Sequence, residues 1–439
     1  MDNFRVIIMK KWPLSTISAV ADVFDGPHAT PKTIDHGAIF LGIDSLDHGR
    51  LNLSSTRHVT NEDFKKWTKR VKPEAGDIVF SYETRLGEVA IIPEGLVCCL
   101  GRRMALIRTD RSVLNEKFFL YYFMSPQFQE QIRKNTINGA TVDRIPLKEF
   151  PSFKLELPPL DEQHTIASIL GSLDDKIDLN RRTNETLEAM ARALFRDWFV
   201  DFGPTRAKMA GEAPYLAPEL WELFPDRLDD EGNPEGWQSW PLADLAILSK
   251  SSINPAQFSD EYFLHFSLPA FDKGMMPDLV KGEEIKSGKF SVSSNSILLS
   301  KLNPETPRVW MVTAHEEPYQ RICSTEFMVL NPLQKDWLAL IYCACLSQPF
   351  RETLQGMVTG TSKSHQRVQP LAVMQTHLLH ATDILMRQFD LTAQPLLAKM
   401  NFNRNESNTL AQLRDLLLPK LMSGEISIRD AEKMVEDAA

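Results

Sequence analysis

Long apolar runs are missing from this chain of 439 residues. None approaches the roughly 20 residues that a membrane-spanning helix requires, and no apolar signal core opens the N-terminus. The expectation is a cytoplasmic protein with no membrane partner. Paired cysteines are missing too. The five present (Cys98, Cys99, Cys323, Cys343, Cys345) form no CxxC pair, which argues against structural zinc and for buried or free thiols in a reducing compartment. Catalytic spacings are equally scarce. Gly356 to Ser362 has glycines and hydroxyls but not the GxxxxGK[ST] spacing of a phosphate loop. The ten histidines show neither HExxH nor paired metal spacing. No Asn-Pro-Pro-Tyr-like methyltransferase motif occurs, and Asn233-Pro234 and Asn303-Pro304 read as turns. Pro277-Asp278 with Glu284-Ile285-Lys286 imitates a metal-dependent nuclease signature, but the gap is short and a charged surface turn accounts for it better. The sequence therefore assigns no catalytic and no metal residue.

What is present is an ordinary globular composition, 43% hydrophobic and 24% charged, in a chain long enough for two or three domains. A net charge of −9 first argues against a nucleic-acid partner. The charge is unevenly spread, however. Residues 1–158 carry 22 basic and 19 acidic side chains, whereas 159–202 carry 5 and 9 and 203–236 carry 3 and 8. The acidity sits mainly outside the globular parts, which leaves room for a local basic face on either.

One pattern organises the chain. From Ile166, apolar residues fall at Leu170, Leu173, Ile177, Leu187, Ala191, Leu194 and Trp198, in gaps of four and three, with Asn180 and Asn184 filling the two polar places. This is the seam of a coiled coil. Shifted by 223 positions it lands on Phe389, Leu396, Met400, Asn403, Ser407, Leu410, Leu417 and Leu421. Asparagine in a seam either lies buried and fixes register, or faces water where the helices diverge. About 40 helical residues span roughly 60 Å. Asp161 after Pro158-Pro159 is the expected N-cap of the first helix. Pro395 and Pro419 predict breaks or kinks in the second, which Gly424 closes.

The globular parts repeat as well. Trp12-Pro13-Leu14 returns as Trp240-Pro241-Leu242, the strand Ile78 to Ser81 as Ile297 to Ser300, and the helical stretch 118–128 as 338–345. Asn138-Gly139-Ala140-Thr141 before Arg144 is answered by Thr359-Gly360-Thr361-Ser362 before Arg367. The expected layout is a first α/β domain (1–157), a long helix (158–202), a Pro- and acid-rich linker lying against the surface (203–236), a second α/β domain (237–380), a distal helix (381–424) and a tail (425–439). A duplicated chain of this kind suits a symmetric or bipartite target.

The remaining features are of a binding kind. Tyr82, Thr84 and Arg85 follow the first strand, and Lys301 and Arg308 follow its counterpart. Thr141 and Arg144 mark one glycine loop, and Ser362, Lys363, Ser364, His365 and Arg367 the other. Small polar and cationic loops can hold phosphates and read base edges. For any single residue an ordinary solvated loop explains as much, but recurrence in both halves favours function for the set. Arg102-Arg103 reads as a surface pair.

At this point the chain resembles the specificity subunit of a type I restriction-modification system. The resemblance rests on Leu157-Pro158-Pro159-Leu160-Asp161-Glu162-Gln163, on Asn180 to Phe202, on the linker opening 201–209, and on Leu416 to Glu425. It implies two α/β target-recognition domains separated by two long conserved helices in an antiparallel coiled coil, with each domain reading half of a bipartite double-stranded DNA site. It also implies two methyltransferase subunits docked on the helices, with restriction (translocase–nuclease) subunits added to them. S-adenosylmethionine, ATP and magnesium would belong to those partners, and the chain itself would be non-catalytic. One departure stands out: residues 375–389 lack the Pro-Pro-x-x-Glu-Gln opening of the first helix, which obscures where the distal helix begins. The rivals are a nuclease using Asp278, Glu284 and Lys286, and a coiled-coil scaffold without DNA.

Overall fold

The computed structural model describes residues 12–54, 56–139, 142–313, 318–358 and 366–437. They form two compact units, 1–177 with 409–439, and 178–408.

In the first unit the strand Ile78–Ser81 is buried at every position, as an apolar run does when both faces of a sheet are covered. It lies third in an antiparallel sheet of order Ala21–Asp25, Met104–Thr109, Ile78–Ser81, Val89–Ile91. The pleat sends alternate residues to opposite faces. Ile78 and Phe80 meet Phe118, Phe119 and Phe123 of the helix Glu116–Met124. Val79 meets Leu41, Cys98 and Leu100 of a second sheet. Cys98 and Cys99 are thus core residues, and burial raises both thiols to about 12. All five cysteines are free and buried. The expected helix over 118–128 is divided at Ser125, whose hydroxyl caps a second helix, Pro126–Asn135.

The second unit repeats this plan. Its antiparallel sheet runs Ala246–Ser249, Phe327–Pro332, Ser296–Ser300, Val309–Val312. Ile297 and Leu299 face the wholly buried helix Leu338–Leu346, while Leu298 faces the other sheet. In both units the second sheet contains one parallel pair, Ala38–Leu41 with Cys98–Leu100 and Tyr262–Phe266 with Gln320–Cys323. Leu14–Thr16 pairs with Lys154–Glu156, and Gln238–Pro241 with His377–His380, so each globular part is tied where its chain comes in and leaves. In the segment 203–236, Trp221 and Phe224 are buried, and Phe224 meets Trp198 edge-on at 5.2 Å.

The central helix, Leu160–Phe199, and the distal helix, Asp383–Met422, are each 40 residues long. In the second unit they run antiparallel: Asn180 meets Asn403 and Ser407, whereas Phe195 meets Phe389. In the first unit, Leu170 and Leu173 share a core with Leu410, Leu417 and Leu421, and Ile177 packs at its margin. Leu187, Leu194 and Leu396 are partly buried against the second core, which includes Trp198 and Met400; Leu397 is more deeply buried than Leu396. Fold class, internal repeat and helix pair are those the sequence implies.

Two local expectations are corrected. Asp161 lies inside the first turn of the central helix and is not its N-cap. The buried anchor there is Gln163, which donates to the carbonyls of Val113 and Pro158 and accepts from the Asn115 N–H at 2.9 Å. The distal helix also passes unbroken through Pro395 and Pro419. A proline deprives the carbonyl four residues earlier of its donor. Those carbonyls belong to Leu391 and Asp415, both exposed, where water can serve them.

Candidate nucleic-acid interface

Each main sheet presents the same corner. In the first unit the strand Ile78–Ser81 runs out into Tyr82, whose carbonyl accepts from Ile145 N at 2.8 Å, and Glu83 forms a bridge with Arg144. In the second unit Lys301 accepts from Val368 N at 3.1 Å and Leu302 forms a bridge with Arg367. The structure therefore brings Tyr82, Thr84, Arg85 and Arg144 together, and separately Lys301, Arg308 and Arg367. Thr141, Ser362, Lys363, Ser364 and His365 lie outside the described residues.

Within these corners the side chains are differently placed. Tyr82 is buried at 5% exposure; its phenol is pushed up to about 12, first by burial and then by the Asp25 carboxylate. It backs the surface and does not line it. Thr84 is exposed with a positive φ of 71°, and receives a hydrogen bond from Arg103 at 3.0 Å. Arg103 also pairs with Glu83 at 3.1 Å. Arg85 donates to the Ile43 carbonyl and pairs with Glu88, both at 3.1 Å. Arg144 is exposed.

In the second unit Arg308 grips Asp272 with two bonds of 2.8 and 3.0 Å. Arg367 does the same to Glu326, at 3.1 and 2.8 Å. Lys301 is half-buried beside them. An exposed pair contributes only about 0–1 kcal/mol, so the exposed Arg367 can exchange its carboxylate for a phosphate or a base edge at small cost, whereas Arg308 is more deeply set.

The helix pair carries its own polar layer. Asn180 and Asn403 are buried at 3% and 1% exposure. Asn180 donates to Glu406 at 2.6 Å and to Ser407 at 3.3 Å, while Asn403 donates to Asn184 at 2.9 Å. The buried alternative therefore holds. In the first unit Asp174 takes Arg414 at 2.7 Å on one oxygen and the Tyr121 hydroxyl at 2.6 Å on the other.

The nuclease-like residues do not converge. Asp278 begins the strand Asp278–Lys281, Glu284 ends the turn Gly282–Glu284, and the Lys286 amine is bonded to the Glu283 carbonyl at 2.6 Å. All three are exposed. Sequence reasoning passed over one feature: the run 65–72, with Lys65, Lys66, Lys69, Arg70 and Lys72 around Trp67. Segment totals hid it, although five cations in eight residues were visible.

Comparison with known proteins shows what this chain resembles. Residues 18–189 match the family model of the type I restriction modification DNA specificity domain. The chain is 24% identical over 439 residues to the MjaIX type I restriction enzyme specificity subunit of Methanocaldococcus jannaschii, covering 96% of this chain and 95% of that relative. With the HindI specificity subunit of Haemophilus influenzae it shares 23% identity over 376 residues, 74% and 80% of the two chains. A crystal structure of a type I restriction-modification S subunit from M. genitalium matches its fold with a TM-score of 0.57 at 16% identity, covering 96% and 98%. Over nearly its whole length this chain is similar to specificity subunits of type I restriction-modification systems.

Proposed function

We propose that the chain binds a bipartite site in double-stranded DNA, one half read by each globular part, and assembles methyltransferase and restriction subunits on it. The carrying observation is the duplicated corner, where a strand end is bridged to the stretch after a glycine-bearing loop, at Glu83 with Arg144 and at Leu302 with Arg367. In this reading 1–157 and 237–380 are the recognition domains, and 158–202 and 381–424 the helices that set the unspecified spacer. Recognition is the chain's whole task. Two methyltransferase subunits supply the S-adenosylmethionine chemistry on an adenine drawn out of the duplex, and the restriction subunits bring ATP and magnesium. The partners share in neutralising phosphate, so a net charge of −9 is no obstacle. The setting is the cytoplasm; no described helix is long and apolar enough to cross a membrane.

The helices also support docking of the methyltransferase. In the second unit Ile384, Leu391 and Phe402 are exposed apolar residues on the distal helix. Their spacing of seven and eleven keeps them on one face.

Exchanging 237–380 for the same domain of another family member tests the reading. Sequencing of methylated DNA should show one half-site changed and the other kept. An unchanged motif would sink the assignment and leave the scaffold alternative.

A further inference from the structure

The cations at the two corners are largely occupied by carboxylates of their own fold, and the first unit holds a cluster that is not. Lys65, Lys66, Lys69, Arg70 and Lys72 are all exposed. Among the described residues only Arg70 of these five approaches a carboxylate, Asp25, and only to 3.9 Å. The nearby Glu74 is turned to Arg108 at 3.6 Å. The helix Asn61–Trp67 is capped by Thr60, and Lys65 and Lys66 sit in its last turn, where the helix dipole favours cations. Beside it opens a cavity of about 430 Å³. Pro27, Val71 and Leu100 give it an apolar wall, and Lys66, Lys69 and Arg70 a cationic side. Its one carboxylate, Asp25, is held by His28 at 2.8 Å as well as by Arg70.

The matching region of the second unit is built differently. The strand Asp278–Lys281 is followed by the turn Gly282–Glu284, which carries two acids in place of a basic helix. Its Lys281 is claimed by Glu283 at 2.9 Å and Asp260 at 3.4 Å.

We propose that the cavity and the run beside it grip the DNA sugar–phosphate backbone, with Lys66, Lys69 and Arg70 as the phosphate ligands of the first globular part. The proposal rests on the DNA-binding reading and gives it a location. Phosphate contacts set position on the duplex and carry no sequence information, so this surface anchors while the corner at Glu83 and Arg144 reads. The first domain would hold DNA more by charge than the second, which has no such run at the matching place.

The test is binding of a fluorescent duplex of mixed sequence by the full-length chain at salt between about 50 and 200 mM, the range over which phosphate contacts lose affinity most steeply. Lys66→Ala with Lys69→Ala should reduce the slope of log affinity against log salt by about two, one unit for each phosphate contact. Lys66→Arg with Lys69→Arg should restore it. The same loss of charge through Arg429→Ala with Lys433→Ala, on the exposed side of the helix Ile428–Glu436, should leave it unchanged. Wild-type binding with an unaltered slope in a double variant of normal melting temperature overturns this proposal alone. No binding by the wild-type chain, either alone or together with its methyltransferase subunits, overturns the DNA reading with it.

Discussion

Asp390 is a carboxylate almost wholly out of water, and its oxygen accepts the Ala339 N–H at 2.7 Å, at the head of the helix Leu338–Leu346. Burial pushes it up to about 6, more than the backbone donors pull it down. The folded-state value thus lies above that of the unfolded chain. The group therefore adds stability that is fully present below about pH 4 and is lost as pH rises through about 6. Asp390→Asn keeps an acceptor and removes the buried charge. At pH 7.5 it should raise the melting temperature of the second unit by about 2–4 °C, the effect of roughly 1 kcal/mol on a body of that size. Near pH 4.5 the difference should close, and a gap that stays constant with pH in scanning calorimetry would refute this account. In the first unit Gln163 serves the corresponding helix with a neutral amide. The internal shift of 223 positions would place Met386 opposite Gln163, so the second unit performs the same task from one helical turn later.

That displacement shows what the sequence could and could not disclose about the elements. Seam spacing, the strand Ile78–Ser81 and the strand–helix repeat were legible because burial writes itself as a period of two or three and a half residues. The asparagine layer was legible as a break in that period, but its partners, Glu406 and Ser407 on the opposite helix, depend on tertiary register. Pro395 misled for a related reason. Local grammar charges a proline for its lost bond, whereas the folded helix leaves the freed carbonyl of Leu391 on the wet side. Pro395→Ala should consequently stabilise the distal helix by about 1–2 kcal/mol, part of the roughly 3 kcal/mol of an interior proline; denaturant unfolding would show a higher midpoint. A lower midpoint would mean that the proline is needed for the helix path. The candidate contacts were the least legible part. Arg308 and Arg367 were chosen by position, yet the carboxylates that hold them, Asp272 and Glu326, come from distant stretches, and Tyr82 proved to be core.

For the whole molecule, recognition and assembly should be separable. Leu391→Asp with Phe402→Asp places charge on the exposed face of the distal helix. It should abolish co-purification of the methyltransferase subunit while leaving melting and duplex binding near wild type. Unchanged co-purification would remove that face from the docking account. The most direct measurement of the central claim is modified-base sequencing of DNA from cells that co-express this chain with its methyltransferase. The account predicts methyladenine at a single split motif, lost when Lys363 and Arg367 are changed together to alanine. A methyltransferase active on other DNA that leaves no split motif in the presence of this chain would contradict it.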